Sequence, residues 1–257
     1  MTRINKTKNE IKNALINAVK KENNLLRFLH ISMNMEMISR KLQKDNLEGK
    51  IKLDNTYINT IKSYKLSEEL LEKEGKSITD FQNELTYKLY FQVFEELLFD
   101  LFVILFQNFP EYLNKEKFDL NFDLIFNQND IEIIRKKVIE GRAKKYIQGN
   151  NIKIIIEKFK TIFGIKISIP KNEMDKIFTA SKIRNILTHN SGIINDFYIN
   201  ELKYEKIISN YNLGDSIVKN LGKEIDFIEN IIINIGEEIT NQIISKLNQL
   251  DKHSSSL

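Results

Sequence analysis

No cysteine and no tryptophan occur in these 257 residues, and there are only two prolines, nine glycines and three histidines. Without cysteine the chain can form neither disulfides nor a thiolate metal site, a composition that suits a reducing compartment, and a cytoplasmic location is expected. His30, His189 and His253 lack the spacing of a metal cluster, so no metal and no cofactor is expected. The glycines form neither a phosphate-binding loop ending in Lys-Ser/Thr nor a dinucleotide signature, and there is no Gly-x-Ser-x-Gly elbow. Long apolar runs are missing as well. The greasiest stretch, residues 97–106, is broken by Asp100 and falls short of the roughly 20 residues that cross a bilayer. It reads as a buried bundle helix, and no membrane partner is expected. The opening Met1-Thr2-Arg3-Ile4-Asn5-Lys6 lacks the apolar core of a secretion signal.

What is present is helical periodicity. Hydrophobic residues make up 42% of the chain, ample for a core, and recur at three-and-four spacing nearly throughout. The pattern predicts an all-α protein forming one domain over residues 1–257. A long first helix is expected over 8–42, with Ile11, Leu15, Ala18, Val19, Leu25, Leu26, Leu29 and Met33 on its stripe. The polar stretch 43–59, with Gly49, reads as a loop, followed by short helical signals at 67–74. Ser77 with Asp80 resembles a capping box that opens a helix running to about 109. Residues 114–129 give no clear signal. Helices are then expected at 130–146, 151–164, 173–189 and 219–250, the last burying a run of isoleucines, with a frayed tail from 252.

Charge is unevenly spread. The net charge is +4, yet residues 133–166 carry ten basic side chains, including Arg135, Lys136, Lys137, Arg142, Lys144 and Lys145, against Glu140 and Glu157. That is 10 − 2 = +8 in one segment, leaving 4 − 8 = −4 elsewhere. Those six residues are the candidate contacts for a phosphate backbone, where each neutralised phosphate releases counterions. The competing reading is a solvated face in a lysine-rich chain.

One short stretch carries chemistry: Arg184-Asn185-Ile186-Leu187-Thr188-His189, at the end of an amphipathic run that Asn190-Ser191-Gly192 stops. On an ideal helix, residues five apart are separated by about 140° around the axis and about 7.5 Å along it. Arg184 and His189 therefore do not share a face; either the long Arg bends or another subunit completes the site. A structural alternative is that His189 complements a helix C-terminus and Arg184 is an ion-pair partner.

The neighbourhood resembles the HEPN superfamily of helical ribonucleases and toxins, whose motif is Arg-polar-x3-His. Arg184-Asn185-x3-His189 matches it, and His189-Asn190-Ser191-Gly192-Ile193-Ile194-Asn195 is similar to the RiboL-PSP-type subgroup, in which Asn and a glycine turn follow the His. Upstream, 93–102 with Glu95 and then Pro110 looks like that subgroup's aromatic-Glu helix; downstream, Leu213-Gly214-Asp215-Ser216-Ile217 also fits. The likeness implies a HEPN-like helical bundle over about 80–250 with an additional N-terminal helical extension over about 1–75. It implies catalytic Arg184 and His189, supported by Asn185, Glu95 and Asn190, in a metal-independent endoribonuclease that is a toxin or anti-phage effector. RNA as substrate, a homodimer with a composite active site, and an antitoxin or defence-system partner follow from the same likeness. The alternative is a non-catalytic helical module that binds RNA or a protein partner. One departure is Ser191, where nucleotidyltransferase-paired members carry a modifiable Tyr. That puts silencing by this route in doubt.

Overall fold

The computed structural model describes residues 2–73, 76–115 and 130–254. Among these the chain forms eight α-helices: α1 (Arg3–Leu47), α2 (Asn55–Lys73), α3 (Ile78–Asn108), α4 (Ile131–Ile147), α5 (Ile152–Phe163), α6 (Lys171–His189), α7 (Asp196–Tyr204) and α8 (Leu221–Ser254). Two 3-10 turns, Pro110–Lys115 and Val218–Asn220, complete the helical elements. The described residues contain no named strand, only an isolated antiparallel bridge between Ile193 and Ser216. The fold is all-α. No described helix is long and apolar enough to cross a membrane.

Short polar side chains set the helix starts. The expected capping box at α3 is formed by both of its bonds: the Asp80 backbone N–H donates to Ser77 Oγ at 3.0 Å, and the Ser77 N–H donates to Asp80 Oδ2 at 3.1 Å. Asp130, Asn151 and Asn195 cap α4, α5 and α7 by accepting from Glu132, Ile154 and Tyr198 N–H groups. The same chemistry explains where the structure departs from the periodic reading of 43–59. α1 runs on to Leu47, Asn46 Oδ1 accepts from the Leu53 N–H at 3.3 Å, and Asp54 accepts from Thr56 and Tyr57 to open α2. Polar residues that looked like loop formers are the caps of two long helices. Gly49, at φ 72°, makes the turn between them. At the other end, α8 is helical through Ser254, and the rest of the expected tail lies outside the described residues. Most of the 114–129 stretch lies outside the described residues.

The chain divides into two units. The first comprises residues 1–20, 91–183 and 228–257; the second, residues 21–90 and 184–227. The first unit centres on aromatic side chains of α3: Phe102 stacks on Phe159 of α5 with ring centroids 4.3 Å apart, and Phe106 lies against Phe163 at 5.0 Å. Each such ring, fully buried, stabilises the fold by roughly 1.5–3 kcal/mol in transfer terms. Ile228, Ile232, Ile235, Ile239, Ile243 and Leu247 of α8 are buried at helical spacing, and Gly236 brings α8 close to Leu97. The N-terminus is pinned by Arg3, whose Nη2 donates to both carboxylate oxygens of Glu111 and whose Nε donates to the Asn108 carbonyl, with the guanidinium 4.3 Å from the Phe109 ring centroid.

The second unit buries Leu29, Ile78, Tyr87, Tyr90, Ile186, Leu187, Tyr198, Leu202, Ile217 and Leu221. A buried carboxylate, Glu84, sits between Lys76 and Lys88, each Nζ 2.6 Å away. Burial alone would raise its pKa, but the two lysine hydrogen bonds and charges outweigh that and hold it below the ordinary carboxylate value.

Candidate functional site

α6 places the motif at its last turn and a half. Ile183, Ile186 and Leu187 are buried, which fixes the helix's rotation; Arg184 and Asn185 are left half-buried and His189, the last helical residue, exposed. Arg184 Nη1 donates to Asn185 Oδ1 at 3.1 Å, and Thr188 Oγ1 donates back to the Arg184 carbonyl at 2.8 Å. The guanidinium root is thus braced by its own helix. With α6 regular through His189, the offset of about 140° between the two groups holds.

The turn after His189 is tightly built. The Asn190 N–H donates to the Ile186 carbonyl at 2.9 Å, the Gly192 N–H donates to the same oxygen at 3.2 Å, and the Asn190 side-chain amide donates to the Ile193 carbonyl. Ser191 and Gly192 are both left-handed, at φ 51° and 78°. A Cβ on Gly192 would stand 2.4 Å from Val218 Cγ2. The Ile194 N–H donates to the Asp215 carbonyl and Gly214 to the Ile194 carbonyl, both at 2.9 Å, so the 213–217 stretch is tied directly to the residues that follow the motif.

The structure brings Arg184, Asn185, His189 and Asn190 together in the second unit. Glu95 is half-buried on α3 and belongs to the first unit, as do the basic residues of α4. Five of those six basic residues are exposed: Arg135, Lys136, Lys137, Lys144 and Lys145. Arg142 is not. It is 2% exposed, because it lies three residues after Ile139 and four before Tyr146 on the inward stripe, with its guanidinium 5.9 Å from the Tyr146 ring centroid. Arg142 therefore leaves the set of surface contacts. Arg135 and Lys136 are engaged by Glu132 and Glu140 at 3.8 Å, whereas Lys137, Lys144 and Lys145 pair with no carboxylate among the described residues. These three lie opposite the buried stripe, around Gly141, whose Cβ position is open.

Periodicity did not single out a tyrosine cluster in the second unit. Tyr211 Oη donates to Glu224 Oε1 at 2.7 Å, and Tyr87 and Tyr198 are fully buried beside them. Burial, with the Glu224 carboxylate adding to it and Ser209 opposing, pushes the Tyr198 pKa up to about 12. Tyr87 and Tyr211 are raised too, burial first. These phenols stay protonated at neutral pH, so they pack, and Tyr211 donates, rather than act as bases. Their only trace in the sequence is tyrosines scattered over three segments, which no spacing rule joins. Among the described residues no group of three histidines or carboxylates is placed to hold a metal ion.

Compared with protein-family models, curated proteins and solved structures, the chain matches none.

Proposed function

We propose that the chain is a HEPN-type endoribonuclease with Arg184 and His189 as its catalytic pair. The observation that carries this is the end of α6: an exposed His189 on the last helical residue, before a turn held by two left-handed residues, and a braced Arg184 one and a half turns earlier. RNA cleavage needs little more, because the substrate supplies its own nucleophile, the ribose 2′-hydroxyl. The 2′-oxygen forms a bond to the adjacent phosphorus and the bond from phosphorus to the 5′-oxygen breaks, leaving a 2′,3′-cyclic phosphate and a 5′-hydroxyl. His189 takes the proton from the 2′-hydroxyl or gives one to the leaving 5′-oxygen, a role worth about 10²–10⁴ in rate. Arg184 holds the phosphate and stabilises its added negative charge, contributing roughly 2–4 kcal/mol.

Arg184 is no metal ligand at neutral pH, and among the described residues His189 belongs to no group placed to hold a metal ion, so the proposed chemistry rests on these two side chains alone. The angular offset supports a second copy of the chain, so that one phosphate meets an Arg184 and a His189 from different subunits. The face formed by Lys137, Gly141, Lys144 and Lys145 suits a phosphodiester backbone: three cations that pair with no carboxylate among the described residues surround a helix surface left bare by glycine. A role as toxin or defence effector is tested by inducing wild type, Arg184→Ala and His189→Ala in cells. Growth arrest with fragmented RNA is expected for wild type only. Arrest by all three without RNA fragmentation would favour a non-catalytic binding module.

A further inference from the structure

The turn that ends the motif leads directly into α7, and both lie in the second unit. The Ile193 N–H donates to the Asn190 carbonyl at 2.9 Å, and Asn195 Oδ1 caps α7 by accepting from the Tyr198 N–H at 3.0 Å. Tyr198 and Leu202, four residues apart, are buried and set the rotation of the helix. That rotation turns two aromatic rings outward: Phe197 is 63% exposed and Tyr204 85%. Seven residues apart, they fall within about 20° of one line along the axis, about 10.5 Å from each other and roughly 130° around from the buried pair. Polar Asn200 and Glu201 occupy the same face between them, so the rings are two separate platforms and not one apolar patch. Residues 196–206 carry three acidic and two basic side chains, which gives this face no net attraction for phosphates. A lone exposed ring is ordinary on a protein surface. Two in register, directly after the motif, offer their faces to flat partners.

We propose that Phe197 and Tyr204 each stack on a nucleobase of an unpaired RNA strand whose phosphate lies at the end of α6, so that the substrate is single-stranded. The proposal rests on the ribonuclease reading for the presence of a strand there. Every base has a π face, so such stacking tolerates any sequence. In a duplex those faces are covered by neighbouring base pairs, and rings about 10.5 Å apart do not match bases stacked about 3.4 Å apart. Each ring therefore meets a separate base of a splayed strand. From His189 to Phe197 the chain spans at most about 28 Å even when fully extended, and the turn shortens that, so one strand of several nucleotides reaches both.

The probe is a short 2′-deoxy strand carrying 2-aminopurine at alternate positions, single or annealed to its complement. It lacks the 2′-hydroxyl, so binding is read apart from cleavage. Wild type should bind the single strand at least about 10-fold tighter than the duplex and quench its 2-aminopurine emission. Phe197→Leu with Tyr204→Leu keeps apolar bulk without the rings; it should lose the quenching and bind about 30-fold more weakly, at about 5-fold per ring. The slope of log affinity against log salt should not change, because no phosphate contact is lost. Phe197→Tyr with Tyr204→Phe should bind and quench like wild type, and the melting of all variants should match, because both positions face solvent. A leucine variant that binds and quenches like wild type, a duplex bound as tightly as the single strand, or a wild type that binds no strand would each overturn the proposal, the last with RNA cleavage intact marking α7 as a protein-docking face. Quenching that depends on the two rings in a chain that cuts no RNA would support the platform and count against the ribonuclease reading, so the two fail separately.

Discussion

Near the motif, single atoms decide the backbone. Gly192 combines a φ of 78° with a Cβ position 2.4 Å from Val218 Cγ2, so any side chain meets both a conformational and a steric cost. Gly192→Ala should lower unfolding free energy by about 2–4 kcal/mol in urea titration, and Val218→Ala in the same chain should restore part of it by removing the clash while leaving the left-handed strain. A Gly192→Ala chain as stable as wild type would mean that this turn does not hold the end of α6 as described. At this scale the sequence was legible where chemistry is local. A glycine after a helix-ending His-Asn-Ser announces a left-handed stop. Burial is not local: Arg142 shares its composition with five exposed neighbours, and only its registry with Ile139 and Tyr146 turns it inward. The contact between Tyr211 and Glu224 likewise joins residues 13 apart across a turn that periodicity does not describe.

Among the elements, α4 makes the clearest claim about a ligand. Its buried stripe of Ile139, Ala143 and Tyr146 leaves Lys137, Lys144 and Lys145 pointing away, and Gly141 costs the helix about 1 kcal/mol relative to alanine with no internal crowding to require it. Lys144→Glu with Lys145→Glu should weaken RNA binding and reduce the slope of log affinity against log salt by about 1.4–1.8, as two lost phosphate contacts require. The change should be similar for RNAs of unrelated sequence, because phosphate contacts carry no base information. Affinity and slope both unchanged would return this face to simple solvation. Helix positions were read well where a capping side chain coincided with the start of periodicity, as at Ser77 and Asp130. They were misread at 43–59, where the caps of consecutive helices crowd together and mimic a loop. The nine-residue α7 is too short for its stripe to stand out from the polar exit of the motif.

For the whole molecule, all-α architecture follows from the chain's helical periods and scarcity of proline, and the structure bears it out. Periodicity reports which face of a helix is apolar but not which helices share a core. The division into units interleaved along the chain, with α1, α3, α6 and α8 each contributing residues to both, was therefore not legible beforehand. The central claim is that α6 presents Arg184 and His189 to RNA and that the substrate's 2′-hydroxyl is the nucleophile. The most direct test incubates purified wild type and His189→Ala, in excess EDTA, with an RNA and with its 2′-deoxy counterpart, and identifies the end groups formed. The account predicts that wild type cuts the RNA to 2′,3′-cyclic phosphate and 5′-hydroxyl ends and leaves the 2′-deoxy strand whole, while His189→Ala is slower by about 10²-fold or more. Cleavage of the 2′-deoxy strand, activity that returns only with added divalent ion, or a His189→Ala chain as active as wild type would contradict it.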